Sequence, residues 1–151
     1  MEIQTTRFGT ITVAADTLLT FPRGLIGMTD LARFAIVPQA GRDAAFYWLQ
    51  SAEDPGVAFL VCDPNRFFKD YHVSIREETQ ADLDLADAKD GQLLVICNRV
   101  GEWVTGNLQG PLVINTRTRV GQQVVLTEKK WTCRQPLLKL ESDQPALAQA
   151  A

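Results

Sequence analysis

No apolar run in this chain is longer than six residues, and that ceiling limits its possible folds more than any other feature. Val57-Ala58-Phe59-Leu60-Val61-Cys62 is one such run. A helix that crosses a bilayer needs roughly 18 apolar residues in succession, so a membrane is not an expected partner. The remaining runs in the N-terminal half are Ile11-Thr12-Val13, Leu18-Leu19-Thr20-Phe21, Phe34-Ala35-Ile36-Val37 and Phe46-Tyr47-Trp48-Leu49-Gln50. Pro22-Arg23-Gly24, Ile26-Gly27, Pro38-Gln39-Ala40-Gly41 and Asp54-Pro55-Gly56 separate them, residues that start turns or supply positive φ. Short runs with turn chemistry between them predict a meander of strands.

The run through Cys62 predicts a strand buried on both faces, closed by Asp63-Pro64 because proline lacks the donor a ladder needs. Glu77 to Leu83 combines good helix formers with acids in the first turn, where they complement the helix dipole, and predicts the one short helix. Strands resume at Leu93–Cys97, Glu102–Thr105, Leu112–Asn115 and Gln123–Leu126. The expected fold is mainly β, a single-domain closed or nearly closed antiparallel barrel or sandwich of short strands with one short helix, since closure removes exposed edges. The expected domain covers 1–138, with a flexible C-terminal tail over 139–151.

A length of 151 residues leaves room for one domain. Eighteen acids against 15 bases give net charge -3, which argues against a direct nucleic-acid partner. The opening Met1 to Arg7 has no basic segment followed by an apolar one, so a cytoplasmic address is expected. Three cysteines, Cys62, Cys97 and Cys133, lack the short paired spacing of zinc sites, and the single histidine, His72, has no nucleophile beside it. Neither a phosphate-cradling glycine motif nor a calcium loop with its closing glutamate is present. No catalytic, metal or cofactor site is expected, and the chain is expected to be a monomer when alone. Trp48 and Phe59 are read as core; Trp103 and Trp131, beside charged neighbours, stand open between core and interface.

The ordered segments Ile3 to Gly9, Phe21-Pro22-Arg23-Gly24-Leu25-Ile26-Gly27, Phe46 to Ser51, Val57 to Val61, Asp63-Pro64, Phe67 to Tyr71, Asn107-Leu108-Gln109-Gly110-Pro111-Leu112-Val113-Ile114-Asn115 and Gln122 to Leu126 resemble the flagellar assembly factor FliW family. The resemblance spans Met1 to about Leu138. It implies a non-enzymatic cytoplasmic protein that binds the translational repressor CsrA, relieves its repression of flagellin mRNA, and also binds flagellin, the two partners excluding one another. A small flavin-type cofactor-binding β-barrel and a flagellin-only chaperone are the alternatives.

Two surfaces are expected to carry recognition. Phe21, Pro22, Leu25, Asn107 and Pro111, as exposed residues beside glycine turns, would receive a segment of flagellin. Equally, the glycines and prolines there serve turn geometry, and Asn115 caps a turn. Asp82, Asp84, Asp87 and Asp90, on the helix end and the turn after it, either form a solvated face or steer the basic repressor.

Overall fold

Each short apolar run becomes a strand because its β-branched and aromatic side chains suit a pleated surface and the residues flanking it break the ladder. The computed structural model describes residues 1–39, 45–87 and 90–140. Its strands are β1 (Glu2–Thr5), β2 (Gly9–Thr12), β3 (Leu19–Thr20), β4 (Arg33–Pro38), β5 (Phe46–Ser51), β6 (Ala58–Cys62), β7 (Gly91–Val100), β8 (Trp103–Gly106), β9 (Leu112–Asn115), β10 (Val120–Gln123) and β11 (Gln135–Lys139), with one α-helix, α1 (Glu77–Asp82). None of the described helices is long and apolar enough to cross a membrane.

The length of β7 lets the sheet close. Its first half, Gly91 to Leu94, pairs with β9, its middle with β6, and its last residues, Cys97 to Val100, with β8. The order β7-β6-β5-β4-β3-β10-β9 therefore returns to β7 as a ring, and β8 with β11 extends from it as a flap. Among the described residues every pairing is antiparallel, as the expected antiparallel barrel requires, except the seam of β3 with β10, which is parallel and joined at Val120 and Thr20. The hairpin β1–β2 stands apart from this sheet.

Strand alternation sorts the core into layers. Leu49 from β5, Val61 from β6 and Leu94 from β7 point into the ring with Leu19, Phe21, Phe34, Leu112 and Ile114. Their neighbours Trp48, Leu60, Cys62, Val95 and Cys97 face outward and are covered by Tyr71, Val104, Leu108 and Trp131. β6 is thus buried on both faces, as its unbroken apolar run predicts. Arg7 and Phe8 of the β1–β2 hairpin lie on Trp48, the guanidinium carbon 4.1 Å from the ring. A smaller cluster, Leu83, Leu85 and Val113 with Val120 and Val124, seats α1 and its following turn on the outside of β9 and β10.

The inner face divides the ring into two ends. Phe21, seated against Gly121, lies toward one end, and Leu25 joins it in the same cluster. Leu19, Ile36, Tyr47, Leu94 and Ile114 line the other, which is open.

Several local expectations shift. β1 and β11 were not predicted: β1 alternates polar and apolar with few residues, and Pro136 inside β11 reads as a strand breaker. Pro136 is tolerated because β11 is an edge strand with a register shift between Pro136 and Leu138. The strand expected at Gln123–Leu126 is centred earlier, although Val124 and Leu126 still donate to Pro111 O and Gln109 O at 3.0 and 2.8 Å. β11 runs to Lys139 and Leu140 N donates to Glu102 O, past the expected boundary at 138; the tail beyond residue 140 lies outside the described residues.

Candidate functional site

The segment after β3 turns twice within eight residues. Gly24 N donates to Phe21 O at 2.8 Å, and Leu25 and Met28 exchange backbone hydrogen bonds around Ile26 and Gly27. Gly24 and Gly27 sit at φ +66° and +87°, a left-handed backbone that glycine adopts without strain. At Gly24 a Cβ would lie 2.4 Å from Thr29 Cα, so this position also needs the missing side chain. The turns drive Phe21 and Leu25 inward, 0% and 2% exposed, and leave Pro22 and Ile26 outside, Ile26 at 62%.

Gln123 brings the second loop against this one. Its Oε1 accepts Ile26 N–H at 2.9 Å while its Nε2 donates to Gly110 O at 2.9 Å. Within the 107–111 loop, Asn107 Oδ1 accepts the N–H groups of Gln109 and Gly110 at 3.2 and 3.0 Å. The loop is held from beneath by Tyr71, whose hydroxyl donates to Leu108 O at 2.7 Å. Burial, and secondarily the charge of Glu128, push that hydroxyl's pKa far above its ordinary value, so it stays protonated and donating.

The acidic segment lies beside these loops along the barrel wall. α1 ends in a Schellman arrangement, Leu85 N to Gln80 O at 2.9 Å and Asp84 N to Ala81 O at 3.2 Å, which places Asp84 at φ +53°. Asn115, 4% exposed, pins that turn: Nδ2 donates to Leu83 O and Asp84 O at 2.8 and 3.2 Å, and Oδ1 accepts Arg117 N–H and Thr118 N–H at 2.9 and 3.3 Å. Asp82 pairs with Arg23 at 2.8 Å and Asp84 with Arg117 at 2.7 Å. The Arg23 bond joins the acidic segment to the first loop, so the two expected surfaces are neighbours.

These positions correct part of the sequence reading. Phe21, Leu25 and Pro111 are buried, and they anchor the loops instead of presenting apolar surface. Asn107 is half-buried and spends its side-chain oxygen on its own turn, while Pro22 is exposed as expected. The four aspartates are exposed, but arginines offset Asp82 and Asp84, which reduces the field of the cluster. Sequence reasoning missed Ile26, Gln123 and Arg23. The place of Ile26 between Leu25 and Gly27 at the tip of a two-residue turn was the available signal for one of them. Trp131 is core at 6% exposed, Trp103 is exposed at 43%, and Cys62 and Cys97 fill the outer core with sulfurs 3.6 Å apart. Residues 21–28, 82–90 and 107–126 contain neither histidine nor cysteine, so this face offers charge, hydrogen bonding and apolar contact. Among the described residues no three His, Cys, Asp or Glu side chains gather as a metal site would require.

Comparison with known proteins covers nearly the whole chain. The family model described as FliW protein matches residues 2–137. A flagellar assembly factor FliW of Natranaerobius thermophilus is 33% identical over 154 aligned positions, covering 100% of this chain and 99% of that protein. One from Moorella thermoacetica is 37% identical over 142, covering 92% and 89%. A crystal structure of the flagellar assembly factor FliW superposes with TM-score 0.80 at 28% identity, over 91% of this chain and 97% of the other.

Proposed function

The chain belongs to the FliW family of flagellar assembly factors, and from that premise we propose that it acts in the cytoplasm as a non-enzymatic switch. It binds CsrA and relieves repression of flagellin mRNA, and it binds flagellin in competition. Export of flagellin then frees the chain to remove the repressor. Such a switch requires only that the two bindings be coupled, and the coupling is reciprocal.

The observation that carries this reading is the contiguity of the two loops with the acidic segment, through Gln123 and the Arg23–Asp82 pair. Exposed Asp82, through its pair with Arg23, lies next to exposed Pro22, and exposed Asp84, Asp87 and Asp90 follow on the same segment. The acids suit steering of a basic RNA-binding protein and repulsion of its RNA. Ile26 and Pro22 give flagellin an apolar contact at the same place, so one bound partner obstructs the other.

Gel filtration of the chain with CsrA and flagellin, first in pairs and then together, tests it. Two binary complexes and no ternary one are expected. A stable ternary complex would sink the competition, and binding of flagellin without CsrA would reduce the chain to a flagellin chaperone.

A further inference from the structure

We propose that the open end of the barrel, away from the loops just described, binds a carboxylate carried on an apolar stem. Leu19, Ile36, Tyr47, Leu94 and Ile114 converge there around a cavity of about 290 Å³, at the small end of the roughly 300–1,000 Å³ of ligand sites. Three of these five are nearly inaccessible, Leu19 and Ile114 at 2% and Leu94 at 6%, so the floor is apolar and formed by the strands themselves. Arg66, Arg119 and Asp63 line its rim. One Asp63 oxygen is committed to the Asn65 N–H at 2.9 Å, capping the short turn Pro64–Arg66 that carries Arg66. The rim thus carries one net positive charge on a chain whose net charge is -3.

Arg119 is placed there against local preference. It sits at φ +62°, a conformation that an L side chain adopts only under strain and glycine adopts freely. Its Nη2 donates to Thr17 O at 2.9 Å, which fixes the side chain, while its Nε is buried with no acceptor. Buried polar atoms without partners are uncommon and point to a missing water or bound group. A planar guanidinium is suited to carboxylate or phosphate. The apolar floor, the small volume and the single net charge select a monocarboxylate with an apolar stem. Two sources share that chemistry, a small free acid and the C-terminal carboxylate of a polypeptide ending in an apolar residue.

Octanoate is the probe, titrated into the full chain by calorimetry and by amide NMR. Saturable 1:1 binding that shifts Leu94 and Ile114 is expected, with octanol at least about tenfold weaker, the weight of a hydrogen bond to a charged group. Arg119→Gly relieves the backbone strain while deleting the guanidinium, so it is expected to melt within about 3 °C of the parent and to bind octanoate at least about tenfold more weakly. Arg66→Ala, an exposed change, guards against loss of fold and is expected to weaken binding several-fold. An acetylated tripeptide ending in leucine, as free acid and as amide, separates the sources. Binding of the free-acid peptide as well as octanoate, but not of the amide, assigns a polypeptide terminus, and binding of octanoate but neither peptide assigns a small acid. Failure of octanoate to saturate by roughly 10 mM, equal binding of octanol, or undiminished binding by both arginine variants would overturn the proposal.

Discussion

Replacing Asn115 with alanine should release the acidic segment from the barrel and loosen the turn between β9 and β10, while leaving the backbone ladder of the ring in place. The side chain makes four hydrogen bonds, two of them short at 2.8 and 2.9 Å and two longer at 3.2 and 3.3 Å. A net contribution of about 1 kcal/mol for each short bond, and less for the longer ones, gives about 2–3 kcal/mol. Leu83 is 2% exposed, so losing the donor to its carbonyl adds up to about 1 kcal/mol of desolvation that water cannot readily replace. A total of about 2–4 kcal/mol corresponds to a fall in melting temperature of roughly 5–15 °C for a domain of this size. Thermal unfolding by circular dichroism measures it, and hydrogen exchange should show Leu83, Asp84 and Leu85 losing protection before β5 and β6 do. Asn115→Asp sharpens the test. It keeps the acceptor but sets a carboxyl against two carbonyl oxygens, which raises its folded-state pKa, so its stability should decline further as pH rises through the carboxylate range. A loss below about 0.5 kcal/mol for the alanine variant, or exchange that stays unchanged at residues 83–85, would refute the claim that Asn115 holds this segment.

Other substitutions test neighbouring parts of the account. Gly24→Ala combines left-handed backbone with a 2.4 Å approach to Thr29 Cα and should cost at least about 3 kcal/mol by urea unfolding. Gly27→Ala, with open space around it, should cost only about 1 kcal/mol; equal losses would contradict the steric part. Tyr71→Phe leaves the Leu108 carbonyl without its donor, and should lower stability by about 1–3 kcal/mol and raise hydrogen exchange across residues 108–110, where an unchanged rate would disprove the tether. The Glu53 carboxylate accepts the N–H groups of Arg33 and Ala32, both at 2.8 Å, which holds its pKa below the ordinary value. Its stabilisation is therefore present above the ordinary carboxylate pKa and lost as pH falls through the lowered one. Glu53→Gln, which keeps an acceptor and removes the titration, should flatten the acid limb of the stability curve measured by denaturant unfolding from pH 6 to 3, and an identical limb would refute the assignment.

Strands with a dense apolar run were legible from sequence because local pattern and tertiary burial agree there, as in β5 and β6. The edge strand β11 was not, since its Pro136 is compatible with a ladder only at an edge, and edges are decided by topology. Ring closure through the parallel contact of Val120 with Thr20 rests on a single register pair separated by about a hundred residues, which no local signal encodes. The loop motifs were legible as motifs but not as surfaces. Phe21 and Leu25 resemble exposed anchors beside glycines, yet the two turns point both into the ring and put Ile26 outside. The aspartates were found by their spacing, whereas the arginines that offset two of them come from positions 59 and 33 residues away in the chain.

The central claim is the coupling of repressor release to flagellin, and a three-component RNA-binding measurement tests it most directly. Labelled flagellin leader RNA is bound to CsrA, this chain is added to saturation while fluorescence anisotropy is followed, and flagellin is then titrated in. The anisotropy should fall to that of free RNA on addition of the chain and return to the bound value as flagellin accumulates. RNA that stays bound to CsrA at saturating chain, or release that flagellin does not reverse, would contradict the account.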